Sequence, residues 1–165
     1  MYQAKNQGRG RVCLFTTAWD PAQGALLWHP GHECGHPRID AEHHRLFMLA
    51  NRLLEHIKDP GEHPEPFLES LASLFEMARQ HFAFEEQLLA EHDYGELASH
   101  RQDHQRLLEK ASQLMAAARA GTLGNDELLN FILQELVVGH MSQADRRYFP
   151  LFTPARPAQM TEIVA

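Results

Sequence analysis

Apolar positions recur at the three- and four-residue spacing of a helix face along four stretches of the chain. Segments rich in glycine, proline and aspartate separate these stretches, and such residues end helices. Four amphipathic helices with short connections predict an all-α fold, an antiparallel up-down four-helix bundle. The predicted helices cover residues 40 to about 58, 67 to about 92, 96–120 and 126 to about 148.

The predicted helix ends follow from local signals. Asp40 is the expected N-cap of the first helix, and Asn125 or Asp126 that of the fourth. Gly121 follows the third helix, where glycine commonly closes the last turn. Glycine and proline recur over residues 1–37, so an irregular N-terminal arm without a long helix is expected there. We divide the chain into an arm or linker at 1–27, a helical domain at 28–153 and a C-terminal tail at 154–165.

Composition narrows the function classes. The net charge of −7 and the scattered basic residues argue against a nucleic-acid partner. The two cysteines form no close pair, which favours a reducing compartment. No apolar leader segment and no run of about 18 apolar residues occurs, so a cytoplasmic protein without a membrane partner is expected. The 12 histidines are the unusual feature and direct attention to metal binding.

Each predicted helix carries at least one side chain that could bind a metal ion. Pairs four residues apart on the second and third helices project from one face and can converge on one site. One such pair often forms only a surface hydrogen bond, but four helices that each supply a donor to one core are explained best by a metal. The candidate ligands are His43, His81, Glu85, His100, His104, His140 and Asp145.

The spacing of His140 and Asp145 predicts a local departure from α-helical geometry. Side chains five residues apart are rotated well off a common face of a regular α-helix. We therefore expect a widened π-type turn, in which the amide of Asp145 donates a hydrogen bond to the carbonyl of His140. A regular α-helical ladder would contradict this prediction.

A count of the donors indicates which metal they suit. If both carboxylates and one oxo or hydroxo group bridge two ions, five imidazoles divided three and two leave one ion six-coordinate and the other five-coordinate. Imidazole and carboxylate suit iron, and an open position on iron suits a small diatomic ligand. A lone zinc ion would need only about four ligands. Two iron ions with an oxo or hydroxo bridge are therefore the predicted cofactor.

The motifs around these residues resemble those of bacterial hemerythrins from Trp28 to about Phe152. The similar segments begin Gly35-His-Pro-Arg-Ile-Asp-Ala-Glu-His, His81-Phe-Ala-Phe-Glu, His100-Arg-Gln-Asp-His and His140-Met-Ser-Gln-Ala-Asp, and Asn51 stands where the family tends to carry asparagine. The resemblance implies reversible dioxygen binding at a non-haem di-iron centre, without catalysis. It assigns His100, His104 and His140 to the six-coordinate iron, His43 and His81 to the oxygen-binding iron, and Glu85 and Asp145 as bridges.

The sequence departs from the family pattern beside the expected oxygen pocket. Leu136 stands where the family often has an aromatic residue, and Met141 where it often has isoleucine. These changes are expected to alter pocket volume and water access, and with them the rate of autoxidation. The expected wall of the pocket is Leu46, Phe47, Phe84, Leu136 and Met141.

Residues 1–12 resemble the C-terminal end of a GGDEF diguanylate cyclase domain, which suggests an upstream GGDEF domain as a partner in a longer protein. Three function classes therefore stay open: an oxygen carrier, storage or sensing module; an oxygen or redox sensor that regulates an attached cyclase; and a di-iron oxidase or iron-centre repair protein. Nitric oxide is an alternative ligand. The remaining histidines are expected to be solvated or structural, and Cys34 inert: His29, His32, His36, His44, His56, His63 and His92.

Overall fold

The computed structural model describes residues 19–59 and 64–153, so the GGDEF-like segment and the C-terminal tail lie outside the described residues. Four helical rods make up nearly all of the regular structure in these ranges, and the predicted four-helix bundle is confirmed. Within the same ranges, no helix is both long enough and apolar enough to cross a lipid bilayer. The rods are α1 (Pro37–Lys58), α2 (Glu65–Glu91), α3 (Leu97–Arg119) and α4 (Asn125–Asn130), which continues directly into a π segment (Phe131–Ala144).

The helices run antiparallel around a core that has two parts. A large apolar cluster fills one end of the bundle and includes Leu53 of α1 and Leu74 of α2. A smaller cluster at the other end joins Ile39 at the start of α1, Leu89 at the end of α2 and Tyr148 beyond the π segment. Because the start of one rod meets the end of the next in the same cluster, neighbouring rods have opposite directions. The polar residues singled out above lie along the rods between these two clusters.

The start of α1 differs from the prediction, which placed the N-cap at Asp40. The helix begins at Pro37, and the His36 imidazole accepts the cap hydrogen bond from the amide of Ile39. Proline suits this first position because its fixed φ is already helical. The Asp40 carboxylate instead accepts from the amides of Cys34 and Gly35, at 2.7 and 3.1 Å. Asp40 therefore orders the loop before the helix and does not cap it.

The end of α3 confirms the predicted role of Gly121. Gly121 has a φ of +69°, and the amide of Thr122 donates to the carbonyl of Ala117 at 2.9 Å. This is the closing pattern that a glycine after a helix permits. The next helix was predicted to be capped by Asn125 or Asp126, and this was wrong, because both lie inside its first turn and Gly124 is the cap. Acidic Asp126 there still complements the helix dipole.

The N-terminal arm is more ordered than the predicted irregular segment. Strands β1 (Trp19–Asp20) and β2 (Ala25–Leu26) pair antiparallel. Asp20 accepts from the amide of Ala22 at 2.9 Å, and Gly24 completes the turn with a φ of +61°. Strands of two residues are too short to show an alternating pattern, so the sequence did not reveal this hairpin.

Asn51 attaches the hairpin to α1. Its side-chain oxygen accepts from the amide of Leu26 at 2.7 Å, and its amide group donates to the Leu26 carbonyl at 2.8 Å. The side chain thus pairs with Leu26 as a neighbouring strand would. This contact gives a structural reason for the asparagine noted in the sequence.

Asn51→Ala is expected to lower the free energy of unfolding by about 2 kcal/mol, because two partly buried hydrogen bonds are lost and the Leu26 backbone is left without its partner. Urea unfolding of the metal-free protein measures this change. Asn130→Ala is the matched control, since its amide makes a solvent-exposed hydrogen bond to Glu135. Equal stability of the two variants would contradict the role of Asn51.

Candidate metal centre

All seven predicted ligands are buried at one level of the bundle. α1 supplies one of them, and α2 and α3 supply two each. The π segment supplies His140, and the short 3-10 turn that follows it (Asp145–Arg147) supplies Asp145. None is more than 4% exposed, although each carries a polar or ionisable group. Burying so many polar groups without partners would be costly. The buried residues are His43, His81, Glu85, His100, His104, His140 and Asp145.

The larger of two ligand groups contains three imidazoles and one carboxylate. The group consists of Glu85, His100, His104 and His140, each offering one ligand atom within 4.8 Å of the others. His104 Nε2 and His140 Nε2 are 2.9 Å apart, and His100 Nε2 is 3.3 Å from Glu85 Oε1. These Nε2 atoms thus lie close together around a common centre and could bind one metal ion.

The smaller group contains two imidazoles and one carboxylate. His43, His81 and Asp145 again place one ligand atom each within 4.8 Å of the others. His43 Nε2 lies 3.0 Å from His81 Nε2 and 3.2 Å from Asp145 Oδ2. The five histidines are therefore divided three and two, the same division that the coordination count used.

Both carboxylates lie between the two groups. Glu85 Oε2 is 3.3 Å from His81 Nε2 of the smaller group and 3.4 Å from His104 Nε2 of the larger group. Asp145 reaches His43 through Oδ2 and His140 through Oδ1, which lies 3.2 Å from His140 Nε2. Two carboxylates that each contact both groups are suitably placed to bridge two cations.

The predicted π turn is present and is longer than expected. The amide of Asp145 donates to the carbonyl of His140, which confirms the predicted bond five residues apart. The π geometry extends through the whole segment Phe131–Ala144, whereas such geometry usually occupies a single turn. Gly139 suits this packing, because a Cβ atom there would lie 2.9 Å from the Gln134 carbonyl oxygen.

The electrostatics of the metal-free centre fit a bound cation. Burial, followed by the charge of Glu85, raises the pKa of Asp145 well above its usual value. Burial alone would also raise the pKa of Glu85, but the adjacent imidazoles of His100 and His104 hold it well below the usual range. Glu85 Oε2 and both carboxylate oxygens of Asp145 are buried without a hydrogen-bond partner. Cations would satisfy these oxygens and the facing imidazole nitrogens, so the donor set fits two metal ions.

The sequence reasoning overlooked Tyr148, which follows Asp145 by three residues. Its side chain is fully buried in the small apolar cluster beside the site, and its hydroxyl group has no hydrogen-bond partner. Burial, together with the charges of Asp145 and Glu85, raises the pKa of Tyr148 well above its usual value. A neutral phenol beside two carboxylates is a latent hydrogen-bond donor to the centre.

Four of the five expected pocket residues share one region of the core. Leu46, Phe47, Leu136 and Met141 are buried in the large apolar cluster, next along their helices to the ligands. Phe84 lies apart from them, partly buried against the small cluster and beneath the guanidinium of Arg38. The structure thus places Phe84 nearer to the protein surface than the other four residues.

The other histidines have local structural contacts. His36 caps α1, His56 contacts Ser70, and His92 binds the Leu88 carbonyl at the end of α2. His63 lies outside the described residues. Cys34 is buried, and burial raises its pKa to about 12, which agrees with an inert thiol.

His32 is the one buried histidine that belongs to neither ligand group, among the residues described. Burial, assisted by the charges of His29 and Arg146, lowers its pKa to about 4. Its Nδ1 accepts from the amide of His29 at 3.1 Å, and its ring packs on Trp28 and Phe47. The imidazole is therefore held neutral in the folded protein.

His32 is expected to make the metal-free protein less stable as the pH falls. The unfolded chain binds a proton near the ordinary histidine pKa and the folded chain near 4, so stability is complete above about pH 6.5 and declines below it. Between pH 7 and 5 the loss from this residue is at most about 2 kcal/mol, because solvent screens the charge of the partly enclosed ring. Urea unfolding at both pH values measures it. His32→Asn keeps an acceptor and should reduce the pH dependence, and an unchanged dependence would contradict this account.

A four-helix bundle with histidines and carboxylates gathered at its centre defines a class of metal-binding helical proteins. The chain matches the hemerythrin HHE cation binding domain over residues 34–152. It therefore belongs to the hemerythrin family, and the resemblance seen in the sequence is confirmed. At the level of that family, it is a non-haem iron protein that binds dioxygen.

Named relatives agree with this assignment. The bacteriohemerythrin of Stenotrophomonas maltophilia is 26% identical over 123 residues, which are 74% of this chain and 78% of that protein. The bacteriohemerythrin of Clostridium acetobutylicum is 27% identical over 127 residues, covering 74% and 98%. The myohemerythrin of Riftia pachyptila is 23% identical over 122 residues, covering 74% and 89%.

Proposed function

We propose that this chain binds dioxygen reversibly at a di-iron centre with an oxo or hydroxo bridge, as an oxygen carrier, storage or sensing module. The observation that carries the proposal is the unequal division of five histidines around two carboxylates that each contact both groups. The ion held by His43 and His81 would have one protein ligand fewer than its neighbour. That difference provides the open position a diatomic ligand needs.

The chain's own residues would hold and shield the centre. His100, His104 and His140 would hold one ion, and Glu85 and Asp145 would span both. When bound, a pair of ferrous ions supplies the two electrons with which dioxygen is held. The buried apolar side chains of Leu46, Phe47, Leu136 and Met141 would exclude water from the centre and slow irreversible oxidation.

The donor set favours binding over catalysis. Only two carboxylates belong to the ligand groups of the described residues, Glu85 and Asp145. Glu42 and Glu86 are close by but bind the outer nitrogens of histidines. We therefore propose that the protein is not an enzyme, since oxidase-type di-iron sites use more carboxylate ligands. Steady peroxide or product formation with a reductant would contradict this.

The deciding experiment is anaerobic reduction of the purified protein followed by exposure to air. Iron per chain and the ultraviolet–visible spectrum are recorded together. Two irons per chain and charge-transfer bands that appear with air and fade on deoxygenation are expected. Two irons with irreversible oxidation would favour a redox sensor or oxidase, and absence of iron would overturn the proposal. Repeating the experiment with nitric oxide tests the alternative ligand.

A further inference from the structure

Two of the five ligand histidines bind a carboxylate through their outer ring nitrogen. His81 Nδ1 lies 3.0 Å from Glu42 Oε2, and His104 Nδ1 lies 2.8 Å from Glu86 Oε1. His81 belongs to the smaller ligand group and His104 to the larger one, while Glu42 and Glu86 belong to neither. Each ligand group therefore contains one histidine whose outer nitrogen, Nδ1, is paired with a carboxylate.

The two carboxylates have the same arrangement of partners. Glu42 uses its other oxygen, Oε1, to accept from Arg38 Nε at 2.8 Å. Glu86 uses Oε2 to accept from Arg101 Nε at 3.3 Å. The Arg38 guanidinium also lies over the ring of Phe84, 3.5 Å from its centre. An arginine–glutamate–histidine chain thus leads from the surface to each ligand group.

Each glutamate also connects two different helices. Glu42 on α1 contacts His81 on α2, and Glu86 on α2 contacts His104 on α3. Each contact therefore ties the imidazole ring to a neighbouring helix, in addition to the helix that carries it. This fixes the rotation of the ring. His140 provides a contrast, because its Nδ1 is buried without any hydrogen-bond partner.

We propose that Glu42 and Glu86 are positioning residues, one for each metal ion, which hold His81 and His104 with the proton on Nδ1 and the Nε2 lone pair directed into the ligand group. The inference rests on the proposed two-metal centre. A carboxylate behind a ligand histidine fixes its tautomer and ring orientation and makes the imidazole a stronger donor. Neither glutamate would touch a metal ion.

The arginines contribute less than the glutamates. Their side chains are 57% and 51% exposed, and exposed ion pairs are weak because water and salt screen them. The imidazoles, by contrast, are at most 1% exposed, so their bonds to the carboxylates are poorly screened. Glutamate substitutions are therefore the sensitive test.

Glu42→Gln and Glu86→Gln keep the shape of the side chain and replace the strong acceptor with an amide. Titration of the metal-free protein with zinc should show two binding steps in the wild type, with one step weakened by about 10- to 100-fold in each variant. Glu76→Gln is the matched control, because this exposed carboxylate on α2 accepts from an arginine and contacts no histidine. It should leave both steps unchanged.

Nitrogen-15 spectra of the imidazoles in the zinc-loaded proteins identify the affected histidine. The Nδ1–H signal of His81 should shift in Glu42→Gln alone, and that of His104 in Glu86→Gln alone. A purely structural loss would instead move both histidines or neither. Unchanged zinc affinities and signals in a two-zinc wild type would overturn this inference and leave the proposed function intact. A wild type that binds no metal would overturn both.

Discussion

His81→Ala is expected to remove one of the two iron ions and to abolish dioxygen binding. The smaller ligand group has only two histidines, and His81 Nε2 faces His43 Nε2 at 3.0 Å. Without His81, one imidazole and the shared carboxylates would remain for that ion. The loss in affinity for the metal ion should exceed the roughly 10- to 100-fold effect of substituting a residue that only hydrogen-bonds to a ligand. Iron per chain should fall from two towards one, and the charge-transfer bands should not form in air.

His44→Ala is the control for this experiment. His44 follows a ligand directly in the sequence, but it is exposed and contacts the edge of the Trp28 ring, 5.2 Å between ring centres. The His44→Ala variant should retain both irons, and its charge-transfer bands should still appear in air and fade on deoxygenation. Far-ultraviolet circular dichroism checks that both variants keep the helical bundle. Full iron content and oxygen binding in His81→Ala would show that the ligand assignment is wrong.

The seven candidate ligands, which the structure brings together, could be selected from the sequence because their signal is local. Pairs such as His81 and Glu85 share a helix face through helix geometry alone, whatever the tertiary structure. The five-residue step from His140 to Asp145 likewise required a π turn. The step sets only the relative rotation of these two side chains, so it gave no information on how far the π geometry extends.

Two further residues that were overlooked make their contacts across helices. Glu42 and Glu86 reach histidines on the next helix, which depends on the register and rotation of packed helices. Each stands directly beside a ligand in the sequence, before His43 and after Glu85. Their position next to a ligand could have drawn attention to them, but adjacent residues on a helix normally face different directions. Only the packing shows that a neighbouring helix lies in the right place.

The errors at helix ends have a similar origin. Asp40 is a favoured cap residue, yet the proline at position 37 lets the helix begin earlier and the His36 imidazole replaces the carboxylate. Gly124 likewise precedes the two stronger cap residues of the fourth rod. Several residues near a helix start can serve as the cap, and the direction of the preceding chain decides between them. The cap preferences of single residues were therefore sufficient to predict that these helices exist, but not to predict the residue at which each one begins.

Glu85→Gln is expected to weaken the binding of both metal ions, unlike any single histidine substitution. The Glu85 carboxylate is within 3.4 Å of His81 Nε2 in one group and of His104 Nε2 in the other. An amide has one oxygen and no charge, so it cannot bridge two cations. Iron should fall below one per chain, and both zinc-binding steps should weaken by more than about 100-fold, beyond the range for residues behind a ligand. Glu91→Gln, an exposed change on the same helix, should bind two ions normally. Loss of one ion with the other unaffected would mean that Glu85 serves a single metal, and Asp145 would then be the carboxylate that spans both groups.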